Sequence, residues 1–163
     1  MKLPKLRDLI GPQMNIYSTP ADVPLFVVGP PGSGKTTLAV LRSKNLSDQN
    51  IENKLVTHNR MLKSLAGRLG ANATTMHRHV WREHSNRVGV EPPRKGEFVI
   101  DWSAVNQNYA DKGLQPVLQH LVVDEGQNLP SGFFSWAVAH GANTLTVFAD
   151  ENQTTKDERS TLK

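Results

Sequence analysis

Gly29-Pro30-Pro31-Gly32-Ser33-Gly34-Lys35-Thr36 is the stretch that decides the fold of this chain. The apolar residues 25–28 before it are typical of a buried strand, and residues 37–42 after it are typical of a helix. Glycines in this pattern let successive backbone N–H groups approach an anion, and the helix N-terminus adds the positive end of its dipole. An ordinary Gly/Pro turn is the alternative, but the Gly-Lys-Thr ending and both flanking elements favour a phosphate-binding P-loop.

The P-loop predicts a nucleotide triphosphate bound with Mg²⁺. Lys35 is expected to reach the β- and γ-phosphates, and the Thr36 hydroxyl is expected to ligate the metal ion. The predicted nucleotide-binding residues of this segment are Gly29, Pro30, Pro31, Gly32, Ser33, Gly34, Lys35, Thr36 and Thr37.

Length and composition predict one ordinary domain. The chain has 163 residues, 37% of them hydrophobic and 21% charged, which is enough for a single core. It has no cysteine, which excludes disulfides and thiolate chemistry. No apolar run approaches the ~20 residues of a membrane span, and no signal sequence follows Met1. We therefore expect a cytoplasmic protein without membrane association.

Positive charge is concentrated in the middle of the chain. Residues 54–95 contain nine Lys and Arg against two acidic residues, whereas the whole chain has a net charge of only +4. Such a segment indicates a polyanionic partner besides the nucleotide. The charge alone is equally consistent with a solvated surface that happens to be basic.

Alternating apolar segments predict an open α/β sheet of parallel strands. The predicted strands are residues 25–28, 54–57, 73–76, 120–123 and 144–149; the predicted helices are 35–45, 59–69, 77–84 and 132–140, with a helical turn in 114–119. Residues 85–113 are interpreted as an insertion on one domain spanning 1–163. Right-handed crossovers place the carboxyl ends of all strands on one edge, so Thr57, Asp124 and Asp150 should face the P-loop.

Asp124-Glu125 follows a buried strand and has the Walker B arrangement. Asp124 would hold the Mg²⁺ directly or through water, and Glu125 would polarise the attacking water. An acidic pair that merely caps a strand is the alternative. A P-loop requires an acidic residue at the end of a neighbouring strand, so a Walker B pair that supports hydrolysis of the nucleotide is the better interpretation. The sequence therefore predicts an ATPase.

Five features in order resemble the first domain of superfamily I (UvrD/Rep-like) DNA helicases. Residues 124–128, Asp-Glu-Gly-Gln-Asn, resemble the Asp-Glu-x-Gln box, and residues 147–153 resemble the third motif, with Ala149 in place of its usual glycine. Residues 56–60 and 75–77 resemble the segments that contact a single strand, and Gln13 lies where the adenine-reading glutamine falls. The resemblance implies a RecA-like three-layer sandwich with a mostly parallel central sheet.

The resemblance also implies functions for residues that are uninformative alone. Gln153 would sense the γ-phosphate and act in catalysis with Lys35 and Glu125, and Gln13 would contact the base of ATP. The implied contacts to single-stranded nucleic acid, with DNA favoured, are Thr57, His58, Asn59, Arg60 and His77. Trp81 and Trp102 are interpreted as buried anchors in preference to stacking platforms.

The second RecA-like domain of these helicases has no counterpart in the 163 residues. That domain carries an arginine finger worth orders of magnitude in rate. We therefore expect the isolated chain to hydrolyse ATP slowly, with the arginine supplied by a second RecA-like domain or by a partner protein. The alternative is a stand-alone, nucleotide-switched binding module. A small-molecule kinase fits less well, because no arginine-rich lid is visible.

Overall fold

A computed structural model describes residues 11–30 and 34–151. Five strands form one sheet: β1 (Leu25–Gly29), β2 (Asn53–Thr57), β3 (Ala73–Thr75), β6 (Leu118–Val123) and β7 (Ala142–Asp150). A separate hairpin consists of β4 (Arg94–Gly96) and β5 (Val99–Ile100). The helices are α1 (Gly11–Ser18), α2 (Lys35–Asp48), α3 (Arg60–Arg68), α4 (Met76–Val88), α5 (Trp102–Asp111) and α6 (Ser131–Trp136).

All neighbouring strands of the large sheet are parallel, in the order β1-β7-β6-β2-β3. The chain moves across the sheet in one direction from β1 to β3 and returns through β6 and β7. The helices of the outward and return paths pack on opposite faces, as right-handed crossovers require. The predicted α/β fold with a parallel sheet of the RecA-like P-loop type is confirmed.

The two faces of the sheet have separate apolar cores. Residues of α2 and α3, with Ile16 of α1, pack with Leu55, Val122 and Phe148 on one face. Residues of α4, α5 and α6 pack with Val56, Leu121, Val123 and Val147 on the other face. Adjacent positions of β6 thus belong to opposite cores, as the alternation of side chains along a strand requires. The result is a three-layer sandwich.

One predicted element differs from the structure. The helical turn predicted for residues 114–119 is wrong, because residues 114–117 have no regular structure and β6 begins at Leu118. Pro116 explains this, since a proline disfavours the helical conformation of the residue before it. Residues 85–113 contain the end of α4, the β4–β5 hairpin and α5, and their interpretation as an insertion remains a prediction.

A buried polar network attaches the segment after α1 to the sheet. Arg42 is fully buried, and its guanidinium donates to Thr146 Oγ1 at 2.7 Å and to the carbonyls of Ile16 and Thr19 at 3.0 and 2.7 Å. His120 Nε2 lies 2.7 Å from the same hydroxyl, and its Nδ1 lies 2.8 Å from the Ala21 carbonyl. These partners favour a neutral His120 that donates through Nδ1 and accepts through Nε2.

Candidate nucleotide site and adjoining basic cleft

A pocket of about 420 Å³ opens at the carboxyl ends of β1, β6 and β7. It is lined by Gly34, Lys35, Thr36, Thr37, Leu62, Asp124, Glu125, Phe148, Ala149 and Asp150. The pocket therefore brings together the P-loop end, the Asp-Glu pair and the end of the third motif. This placement follows from the parallel sheet, since every strand delivers its carboxyl end to the same edge.

The described part of the P-loop has the backbone that the motif requires. Gly34 has φ 86° and ψ 15°, a left-handed conformation that favours glycine, and its carbonyl accepts from the Leu38 N–H at 3.1 Å in the first turn of α2. Gly29 and Pro30 end β1 and begin the loop. Pro31, Gly32 and Ser33 lie outside the described residues.

Lys35 is held at the bottom of the pocket. Its ammonium donates to the carbonyls of Gly29 and Pro30 at 3.0 and 2.6 Å and pairs with Asp150 Oδ1 at 2.7 Å. The side chain is only 9% exposed. A phosphate that bound here would therefore compete with Asp150 and the two carbonyls for the ammonium group.

Thr36 and Asp124 meet on the opposite wall. The Thr36 hydroxyl hydrogen-bonds the Asp124 carboxylate, which also accepts from the Glu125 N–H at 3.0 Å. Burial raises the pKa of Asp124, and these two hydrogen bonds oppose the rise. A hydroxyl beside a carboxylate is a set of hard oxygen donors that fits Mg²⁺, which takes its remaining ligands from water and phosphate.

Glu125 stands in a strained backbone conformation at the end of β6. Its φ of 56° and ψ of 43° are left-handed, which is uncommon for a residue other than glycine. Strain of this kind concentrates at functional sites. Burial raises the pKa of Glu125, and the neighbouring Asp124 and Asp150 carboxylates raise it further. A carboxylate with a raised pKa is a better proton acceptor, as a general base requires.

Gln127 connects the Asp-Glu box to the third motif. The side chain is almost fully buried, and its Oε1 accepts from the Asp150 N–H at 3.0 Å. In the sequence, Gln127 was recognisable only as a member of the Asp-Glu-x-Gln box, and no function was predicted for it. The structure shows that Gln127 fixes the backbone of the residue that pairs with Lys35.

The structure describes only one of the two glutamines predicted to contact the nucleotide. Gln13 lies half-buried in the first turn of α1, and it is not among the described residues that line the pocket. Gln153 lies outside the described residues. The functions of both remain predictions.

A larger cleft of about 870 Å³ lies on the side of the sheet edge where β2 and β3 end. It is lined by His58, Arg60, Lys63, Ser64, Thr75, His77, Arg78, Trp81, Arg82 and Phe98. No acidic side chain is among these described lining residues. Four of the nine Lys and Arg residues of the basic segment thus line one concave surface, which we call the basic cleft.

The five predicted nucleic-acid contacts divide into two groups. His58, Arg60 and His77 line the basic cleft. Thr57 is buried, and Asn59 caps α3 by accepting from the Met61 N–H at 2.7 Å, so these two shape the turn from β2 into α3.

Helix α3 separates the two cavities. Leu62 lines the nucleotide pocket, whereas Arg60, Lys63 and Ser64 of the same helix line the basic cleft. Positions on one α-helix that differ by one or two residues point in different directions, so a nine-residue helix can contact both sites. One helix therefore forms part of the wall of both sites.

The fold and the pocket define a P-loop nucleotide-binding domain. A family model described as an AAA domain matches residues 13–157. The chain belongs to this family of P-loop NTPase domains, which is found in UvrD/Rep-like helicases. The predicted resemblance to the superfamily I helicase domain is confirmed at the level of the family. A search of curated proteins finds no match.

Family membership supports NTPase activity and nucleotide binding, for which Mg²⁺ is the typical metal ion. Within residues 11–30 and 34–151, no helix has the length and apolar character that crossing a bilayer requires.

Proposed function

We propose that the chain is the ATP-hydrolysing motor domain of a superfamily I DNA helicase or translocase. The observation that carries the proposal is the position of α3, which forms a wall of both the nucleotide pocket and the basic cleft. A motor needs such a shared element, because ATP turnover must alter the grip on the nucleic acid.

Each pocket residue has a task in this proposal. Lys35 binds the β- and γ-phosphates, and Thr36 and Asp124 hold the Mg²⁺, which neutralises charge on the phosphates. Glu125 accepts the proton of the attacking water. Asp150 releases Lys35 when phosphate arrives, and Gln127 keeps the Asp150 backbone in place during the exchange.

The basic cleft is proposed to hold single-stranded nucleic acid, with DNA favoured. Four Lys and Arg side chains line it, and cations that contact phosphates dominate affinity for a single strand. A second RecA-like domain or a partner protein is proposed to supply the arginine finger, which is worth about 10³–10⁵ in rate in related phosphoryl transfers.

Single-turnover ATP hydrolysis, measured with and without a single-stranded oligonucleotide, tests the proposal. We expect wild-type hydrolysis to rise with the oligonucleotide. Glu125→Gln should retain Mg-ATP binding but lose about 10²–10⁴ in rate, because it removes the proton acceptor. Lys35→Ala should lose the binding itself. The exposed Glu91→Gln is the matched control and should behave like the wild type.

Failure of the wild-type chain to bind Mg-ATP would refute the proposal. Intact binding without hydrolysis under any condition would support the alternative, a nucleotide-switched binding module. The Lys35–Asp150 ion pair gives that alternative its own physical basis, since a bound phosphate would compete with Asp150 for the ammonium group without any hydrolysis.

A further inference from the structure

Strand β1 lies at one edge of the sheet, although its composition is that of an interior strand. Its sequence, Leu-Phe-Val-Val-Gly, contains no polar side chain. Near-continuous apolar runs of this kind are typical of parallel strands that are buried on both faces. Yet β1 pairs with β7 alone, and within residues 11–30 and 34–151 no strand pairs with its other side. The strand that leads into the P-loop therefore presents a free edge.

The backbone groups of Phe26 and Val28 point out from this edge. The Gly29 carbonyl accepts from the Glu151 N–H at 3.1 Å, immediately after β7, so the backbone groups of Gly29 face β7. The N–H and C=O of one residue lie on the same side of a strand, and those of the next residue lie on the opposite side. Phe26 and Val28 thus direct two donors and two acceptors away from the sheet.

The side chains of the same two residues form an exposed apolar face. Phe26 is 41% exposed and Val28 is 49% exposed. Phe26 lies beside Val147 of β7, which is buried in the core under α4, α5 and α6. That core ends at β7, so the adjoining face of β1 offers apolar area for association, whose main favourable contribution is burial of such area.

This edge lacks the features that usually prevent association between strands. Exposed edges are commonly very short, bulged or charged. At the opposite edge of the sheet, β3 has only three residues, and its last residue, Thr75, already caps α4. In contrast, β1 pairs with β7 over five residues without a shift in register. Residues 23–30 contain no charged side chain, so two copies of this edge can meet without charge repulsion between them.

We propose that two copies of the chain associate through β1, in antiparallel orientation about a two-fold axis. The five strands of each copy would then form one continuous sheet. A two-fold interface brings the same surface of both copies together, so that surface must complement itself. With Val27 on the axis, Phe26 lies opposite the partner's Val28, and their outward backbone groups form reciprocal hydrogen bonds. The two side chains also meet, and aromatic–β-branched pairs stabilise sheets.

Two prolines select this register. Pro24 precedes β1 and Pro30 follows it, and neither has an N–H to donate. With Val27 on the axis, the prolines lie opposite each other and all outward groups of β1 are paired. A shift of two residues in either direction leaves the carbonyl of Phe26 or Val28 opposite a proline, without a donor. The register is therefore fixed by backbone chemistry as well as by the apolar face.

The small contact area sets the expected strength of the dimer. Stable dimers bury about 1,600 Å² in total, and smaller interfaces belong to weak or transient complexes. Two five-residue strands fall short of that area. We therefore expect a dissociation constant between about 10 µM and about 1 mM.

Sedimentation equilibrium of the 163-residue chain tests the proposal. Over a concentration range of about 5 µM to about 1 mM, the weight-average mass should rise from 18.0 kDa towards twice that value. Val28→Lys should keep the chain monomeric throughout, because it places a charge against the partner's Phe26 and brings the two introduced charges near each other. Val90→Lys changes a valine that is 60% exposed outside β1, and it should associate like the wild type.

A second variant tests the hydrogen bonds alone. Val28→Pro removes an outward N–H without adding charge, and an edge strand tolerates proline where its N–H faces solvent. The dimer loses one hydrogen bond from each copy, so the dissociation constant should rise by about 5- to 100-fold. Unchanged thermal midpoints for both variants confirm that the fold is intact.

A wild-type mass of 18.0 kDa at every concentration would overturn the proposal, and the free edge would then be left to a strand of a different protein. Association of Val28→Lys and Val28→Pro equal to that of Val90→Lys would overturn it as well, because the dimer would then use another surface. The proposal does not depend on the proposed motor function. Mg-ATP binding and hydrolysis report on that function separately.

Discussion

Removing the buried guanidinium of Arg42 should destabilise the whole domain. Arg42→Met keeps the aliphatic stem in the core but deletes the donors to Thr146 and to the carbonyls of Ile16 and Thr19. These acceptors face the protein interior, where an unpaired polar group costs free energy. Among the described contacts, Arg42 and His120 both connect Thr146 to the segment after α1, and Arg42 makes the larger number of these hydrogen bonds.

The size of the effect follows from the hydrogen bonds. Each bond to a charged group contributes about 1.5–3 kcal/mol net, so the three short bonds together set an upper range of about 4.5–9 kcal/mol. Burial opposes this, because it lowers the pKa of Arg42 and thus disfavours the charged form. We therefore expect a loss of about 3–5 kcal/mol, in keeping with about 1–3 kcal/mol for each buried acceptor left unpaired. For a chain of this length Tm should fall by about 10 °C.

Urea unfolding monitored by circular dichroism measures the loss directly. Thr146→Val and the double variant complete a cycle, and we expect a coupling free energy of about 1–3 kcal/mol for two residues in one network. Arg68→Met on the exposed face of α3 is the control and should change stability by less than about 0.5 kcal/mol. A loss below about 1 kcal/mol for Arg42→Met, or strict additivity in the cycle, would refute the reasoning.

Three further predictions concern single side chains. Burial lowers the pKa of His120 to about 4, so between pH 6.5 and pH 4 the folded state binds fewer protons than the unfolded state. Stability therefore falls as the pH drops through this range. His120→Asn should make the fall shallower when Tm is measured as a function of pH. Gly132→Ala should cost about 1–3 kcal/mol in urea unfolding, because its Cβ displaces Trp102; unchanged stability would contradict that overlap. Asp150→Asn should tighten Mg-free nucleotide binding about fivefold in a fluorescence titration, since the partly buried ion pair that competes for Lys35 is worth about 1 kcal/mol net. Weaker binding would argue against competition.

Local chemistry explains what was predictable from the sequence. The P-loop pattern requires a strand before it and a helix after it, and both are present. Alternating elements required a parallel sheet, and that topology placed Asp124, Glu125 and Asp150 beside Lys35. These conclusions needed only motif spacing and the handedness of crossovers.

The tertiary structure decided which partner each side chain has. The spacing of Lys35 and Asp150 in the sequence does not indicate an ion pair at 2.7 Å. The hydrogen bond between the Asp150 N–H and Gln127 could not be predicted from the sequence either. The buried Arg42 looked like one more basic residue of a helix. Pairing across the sheet depends on strand order and register, which a local pattern does not contain.

The basic cleft shows most clearly which features the sequence determined and which required the tertiary structure. The sequence alone determined that the positive charge lies in residues 54–95 and that the same chain carries a P-loop and an Asp-Glu pair. It also determined that residues 58–60 follow a strand. Only the tertiary structure decided that Thr57 is buried and that α3 lies between the cleft and the nucleotide pocket. The physical reason is that charge and motif are properties of a segment, whereas a cavity exists only where segments distant in the chain pack together.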